Sequence, residues 1–200
     1  MTDSKISKLK GFMPKHEGKA LTKWSEEFSS IGPIMEIGSY CGKSAMYLSE
    51  GAILNDQLVY TIDHHFGSEE HQINEEYFDN EIFDHKKQRV NTLPLLIKNI
   101  NKMQVENIVP IISNSVVIAS NWNTELGMVF IDGGHSFKAA NDDYESWNIK
   151  IKQNGALVIH DIFENPNEGG QAPFEIFKKA LKNNFEIYER VDTLACLKKK

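Results

Sequence analysis

The chain has 200 residues, of which 40% are hydrophobic, 25% charged and 10% aromatic, and its formal net charge is −6. That composition belongs to an ordinary globular domain able to bury roughly 70% of its unfolded surface, and the acidic balance excludes a partner bound through broad phosphate neutralisation, so no nucleic acid is expected. No apolar run approaches the ~20 residues of a membrane span, residues 1–12 lack the apolar core of a secretion signal, and Cys41 and Cys196 make no disulfide framework; the expectation is a cytoplasmic chain that starts at Met1 and touches no membrane.

Residues 1–32 read as an N-terminal helical extension, with Leu21, Trp24 and Phe28 on its inner stripe. Residues 33–38 (PIMEIG) read as a buried strand stopped by Gly38 and Gly42, and 43–50 as a short helix opened by a glycine-rich turn. Residues 57–63 (QLVYTID) form a second strand that ends on a carboxylate. The stretch 64–91 then breaks the alternation with a long polar insert holding His64, His65, Glu69, Glu70 and His71. A helix follows over 92–104, with Leu95, Leu96, Ile100 and Met103 on one face, and a third strand over 107–113 (NIVPIIS). The fourth strand, 126–132 (LGMVFID), and the fifth, 155–161 (GALVIHD), both end on Asp, with a helix over 137–151 between them. A helix over 172–183 and two strands, 185–189 and 194–198, close the chain.

Strands alternating with helices imply right-handed crossovers and a parallel sheet covered on both faces. The last two strands are joined too closely to be parallel neighbours, so they form an antiparallel hairpin at one edge. Ligands in such sheets bind outside the carboxyl ends of the strands, and the insert 64–91 leaves from that side.

Residues 36–44 (EIGSYCGKS) make the first strand-to-helix turn, where glycines let backbone approach a ligand. The Gly-Lys-Ser within it invites a phosphate-loop reading, but that motif needs four residues before the Gly-Lys pair and Gly38 and Gly42 enclose three. Asp63, about 20 residues further on, stands where an acid can accept both hydroxyls of a ribose. Glycine turn and acid together point to a nucleoside-containing cofactor. Asp132, His135, His160 and Asp161 should surround one cleft, because the fourth and fifth strands are expected neighbours. They can hold a divalent cation through hard oxygen ligands, or His135 can act as a general base near neutral pH. The His64–His71 cluster matches no closed zinc site.

The segments EIGSYCGKSAMYL, YTIDHH, VFIDGGHSFKAANDDYESW and GALVIHDIF together resemble the class I S-adenosylmethionine-dependent methyltransferases. More narrowly, they are similar to the small-molecule O-methyltransferase-like group whose fourth strand ends in Asp-Gly-x-His. The resemblance spans residues 33–198. It implies an α/β, Rossmann-like, seven-stranded and mostly parallel sheet, its last strand antiparallel, with helices on both faces. It implies S-adenosylmethionine as cofactor and transfer of its methyl group to a hydroxyl oxygen of a small-molecule acceptor. Glu36, Gly38 and Gly42 would line the methionine end of the cofactor, with Ser39 and His64 as further contacts. Asp63 would bind the ribose hydroxyls, and Ser113 and Asn114 would sit near the adenine. Asp132 would border the cofactor and occupies the position that binds magnesium in metal-dependent relatives. His160 and Asp161 fall where those relatives carry Asp-Asp or Asp-Asn, and His160 is the departure. Two routes stay open: Mg2+ held by Asp132, His160 and Asp161, or catalysis by Asp132, His135 and His160 without metal. The insert would form the acceptor pocket or its lid. The competing functions are a non-catalytic S-adenosylmethionine-binding module and a nucleotide hydrolase using Gly42, Lys43, Ser44 and Asp132. An exposed apolar N-terminal segment would favour a homodimer.

Overall fold

A computed structural model describes residues 3–68, 71–75, 77–134 and 136–200. Two helices come first, α1 (Asp3–Ile6) and α2 (Lys15–Ser29). The alternating part follows as β1 (Ile34–Ile37), α3 (Lys43–Ala52), β2 (Val59–Asp63), a small hairpin of β3 (Phe83–Asp84) and β4 (Arg89–Val90), α4 (Leu93–Met103), β5 (Ile108–Ile112) and α5 (Ser115–Ala119). The remainder is β6 (Leu126–Ile131), α6 (Phe137–Trp147), β7 (Ile151–Ile159), α7 (Ala172–Lys182), β8 (Phe185–Val191) and β9 (Leu194–Lys199).

Seven strands form one sheet in the order β5-β2-β1-β6-β7-β9-β8. β5, β2, β1, β6 and β7 pair in parallel, and β9 runs antiparallel to both of its neighbours. This is the Rossmann-like sheet, and the expected edge hairpin is β8–β9. The alternation of side chains along each strand divides the interior in two. Ile34, Met128, Phe130 and Val158 face one layer with Trp24 and Phe28 of α2 and Met46 and Leu48 of α3. Met35, Ile37, Val129, Ile131 and Leu157 face the other, with Tyr144 and Trp147 of α6 and Phe177 of α7. The helical segment that reads as an extension in sequence therefore supplies part of the core on one face.

Three local features differ from the sequence expectation. The helix expected over 137–151 stops at Trp147, and a 3-10 turn over Asn148–Lys150 leads into a strand that starts at Ile151, not at residue 155. Lys152, Gln153 and Asn154 hid that start, because the strand projects beyond its buried stretch there. α5, five residues long and capped by Asn114, is too short to show periodicity. The insert also contains structure of its own, with Phe83 opposite Val90. Among the described residues no helix is long and apolar enough to cross a membrane.

Candidate functional site

A cleft of about 460 Å³ lies over the carboxyl ends of β1, β2, β5 and β6. Its wall takes Gly38 and Tyr40 from the β1–α3 turn, Asp63 and His64 from the end of β2, and Ser113, Asn114 and Ser115 from the end of β5. Asp132, Gly133 and Gly134 follow β6, Lys138, Asp142 and Asp143 come from α6, and Gly67, Ser68 and His71 come from the insert. Of the residues singled out in sequence, Gly38, Asp63, His64, His71, Ser113, Asn114 and Asp132 therefore meet in one cavity. Ser39, Glu36, Gly42, His160 and Asp161 lie behind its wall. His135, Glu69 and Glu70 lie outside the described residues.

The turn after β1 is shaped by crowding. Gly38 has φ +93°, and a Cβ there would lie 2.1 Å from the carbonyl oxygen of Asp132. Only glycine meets both demands. Asp63 locks the same turn from the neighbouring strand: its Oδ2 accepts from the Tyr40 amide at 2.9 Å and its Oδ1 from the His65 amide at 2.7 Å. Tyr40 and His65 both sit at positive φ, 45° and 65°. Non-glycine residues are held in this region only where surrounding contacts dictate it. The two bonds fix the carboxylate in place and leave each oxygen a second lone pair. His64 accepts the Phe66 amide on Nδ1 at 3.0 Å and stacks on the Phe66 ring, over which Arg89 lies.

Glu36 departs from the expected cofactor contact. It is fully buried, its Oε1 accepts from Ser44 Oγ at 2.5 Å, and its Oε2 accepts from the Thr61 hydroxyl. Burial pushes its carboxyl up to about 8, against those two hydrogen bonds, with the charges of Asp132 and Asp63 adding to the rise. Gly42 caps α3 at φ +86° and Ser39 is buried, so neither reaches the cleft. Ser44 is thus turned into the core, and Lys43 donates to the carbonyl of Gly11 at 3.1 Å. A phosphate loop would need both facing the ligand, so the nucleotide-hydrolase reading fails.

Asp132 stands at the tip of β6 with His160 behind it. His160 Nδ1 lies 3.0 Å from Asp132 Oδ1 and 3.4 Å from Asp161 Oδ2, and Nε2 lies 2.9 Å from Glu17 Oε2. Glu17 belongs to α2 and is fully buried, and its Oε1 accepts from the amide and hydroxyl of Thr193 at 2.9 and 2.8 Å. Burial works against a charge on His160, but Asp132, Asp161 and Glu17 outweigh it and hold the ring's pKa well above the ordinary histidine value. A ring bonded to carboxylates through both nitrogens is no proton acceptor, which corrects the expectation that His160 is a base. On α6, burial pushes the Asp143 carboxyl up to about 6, with the Ser115 hydroxyl donating to it and Asp142 nearby.

A methyltransferase-domain family model matches residues 35–162, well over half of the chain. The chain belongs to this methyltransferase family. Solved structures share its fold at low identity. The O-methyltransferase NovP superposes with a TM-score of 0.69 and 12% identity, covering 93% of this chain and 80% of that one. A putative caffeoyl-CoA O-methyltransferase from Staphylococcus aureus gives 0.62 and 15%, covering 98% and 88%. An O-methyltransferase from Bacillus cereus in complex with SAH gives 0.63 and 12%, covering 99% and 87%.

In this methyltransferase domain the donors for a divalent cation were expected to be Asp132, His160 and Asp161, and they do bring ligand atoms within 4.8 Å of one another. The set does not fit magnesium. Mg2+ takes oxygen ligands in a near-ideal octahedron, whereas the central donor is an imidazole. Carboxylate oxygens only accept, so each ring nitrogen of His160 donates and offers no lone pair to a metal. Sequence reasoning missed Tyr40, Asp142 and Asp143 in the wall and Glu17 behind it. Glu17 had one signal: with Leu21, Trp24 and Phe28 it occupies the buried stripe of α2, where an acid is out of place.

Proposed function

We propose that this methyltransferase domain moves the methyl group of S-adenosylmethionine to a hydroxyl oxygen of a small molecule. The observation that carries this reading is the pair of fixed carboxylates, Asp63 and Asp132, on either side of the Gly38 turn in one cleft. The O-methyltransferase names of NovP and the B. cereus protein, and the SAH held by the latter, support it. The bound cofactor would supply an electrophilic methyl group on a positively charged sulfur. Asp63 offers its remaining lone pairs to the two ribose hydroxyls, and Ser113 and Asn114 border the adenine. Gly38 lets backbone approach the methionine end. Asp63, Asp132, Asp142 and Asp143 outweigh Lys138, which is tied to Asp142, so the cleft favours a cationic ligand. Asp132 lends Oδ1 to His160 and receives the acceptor's hydroxyl proton on Oδ2. The acceptor would enter past Ser68 and His71 of the insert, where the Tyr40 and His71 rings stack at 5.2 Å.

Calorimetric titration with S-adenosylhomocysteine tests the cofactor half. The wild type should bind, Asp63→Ala should bind at least tenfold more weakly, and Asp132→Asn should bind nearly as well as the wild type. On an acceptor found by screening hydroxylated compounds, Asp132→Asn should then lose turnover by roughly 10²–10⁴. A wild type that ignores S-adenosylhomocysteine sinks the reading, and a fully active Asp132→Asn removes Asp132 from it.

A further inference from the structure

We infer that Glu17, through His160, is a positioning residue for Asp132, and that the His160 ring itself fills the place beside Asp132 and Asp161 that a divalent cation takes in metal-dependent relatives. The inference rests on Asp132 being the group that receives the acceptor's proton.

Glu17 is held from two sides. Thr193, in the turn between β8 and β9, donates to its Oε1 twice, and His160 donates to its Oε2. Among the described residues no lysine or arginine pairs with it. A fully buried carboxylate without a positive partner is costly, and the ring 2.9 Å away is the group placed to offset it. The same ring turns its other nitrogen onto Asp132 and Asp161. The groups facing His160 are then Asp132 and Asp161 at the cleft, Glu17 behind, and the edge of Phe130 with ring centroids 6.5 Å apart. Beyond Glu17, His16 and Asp192 pair at the surface at 2.9 Å. The arrangement runs from Thr193 through Glu17 and His160 to Asp132 and crosses from the N-terminal helix to the cleft. It supplies what a cation would supply there, a fixed positive charge that orients Asp132. It also leaves the ring no free nitrogen, so of the pair it is Asp132 that can take the proton.

Glu17→Gln separates this role from simple packing. The amide oxygen can keep both Thr193 bonds, but its NH₂ group then faces His160 Nε2, which must give up its proton and accept. Two-bond ¹H–¹⁵N spectra of the full chain at neutral pH should show both His160 ring nitrogens protonated in the wild type. In Glu17→Gln the Nε2 signal should move to the unprotonated range. Titration with Mn2+, followed by electron paramagnetic resonance, should show no tight site in the wild type. The His160→Asp/Glu17→Gln double variant, which restores an oxygen donor and removes the repelling acid, should bind Mn2+ at least tenfold more tightly. Wild-type Mn2+ binding that Asp132→Asn abolishes would overturn the inference, as would a singly protonated wild-type ring or a folded double variant that ignores Mn2+. If the double variant does not fold, the wild-type titration and ring spectrum decide. S-adenosylhomocysteine binding by the same samples reports separately on the methyl-transfer reading, which can fail while the clamp stands.

Discussion

Glu36 and Asp63 show how position alone gives two acids opposite work. They lie on neighbouring parallel strands, Asp63 at the end of β2 and Glu36 inside β1, with Glu36 level with Thr61 and Ile37 level with Ile62. Asp63 stands one step further out, where backbone amides meet it and water reaches it, and it remains available to a ligand. Glu36 is sealed in the core and bonded to hydroxyls from Ser44 and Thr61. Its folded pKa, about 8, lies above its unfolded value, so between the two the folded state binds the extra proton. Stability from this group is therefore full below pH ~4.5 and falls as pH rises towards 8. Thermal melts of the wild type should show that decline, and Glu36→Gln, which is neutral throughout, should flatten it; an unchanged slope in the variant would show that Glu36 is not the group responsible. Sequence position alone could not separate the two acids, because what differs is depth in the sheet. His160 misled for a related reason: a histidine at a strand end reads as a base until Glu17, far away in the chain, is seen to occupy its second nitrogen.

The elements that were legible are those with a period or a breaker. β1, β2 and β6 are apolar runs that close on Gly38, Asp63 and Asp132, and the β1–α3 turn announced itself through Gly38 and Gly42. α5, the β3–β4 hairpin and the polar first half of β7 carry neither, so they emerged only with the fold. The turn is also the element most exposed to substitution. In Gly38→Ala the new methyl would press on the Asp132 backbone at 2.1 Å, and the φ of +93° would be strained as well. Backbone of two strands cannot step aside as a flexible side chain can. We expect a loss of roughly 2–4 kcal/mol in denaturant unfolding, with S-adenosylhomocysteine binding impaired even in conditions where the variant stays folded. A variant as stable as the wild type would mean that the turn relaxes, and that its tight geometry is not what shapes the cleft.

At the scale of the whole molecule, the N-terminal helix completes the cover of one sheet face beside α3. Glu17, Leu21, Trp24 and Phe28 make one buried stripe on α2. Three of them pack into the layer that also holds Met46, Phe130 and Val158, and the fourth reaches His160. The same helix therefore carries part of the fold and part of the site. Trp24 links the two roles, being fully buried two turns beyond Glu17, with its Nε1 donating to Glu189 of β8 at 2.6 Å. Trp24→Ala leaves a cavity in the α2 layer and orphans the Glu189 contact, and it should cost about 3–5 kcal/mol of a total that is about 5–15 kcal/mol for a domain. If α2 acts as one rigid lever, the loss will not stay local. The His160 ring-nitrogen signals should broaden in Trp24→Ala although the substituted side chain does not touch that ring. Unfolding by urea gives the stability, and the two-bond nitrogen spectra of the still-folded protein give the coupling. A large loss of stability with an undisturbed His160 spectrum would show that Thr193 and His160 hold Glu17 without help from the Trp24 packing, and that the layer and the site share a helix without sharing its motion.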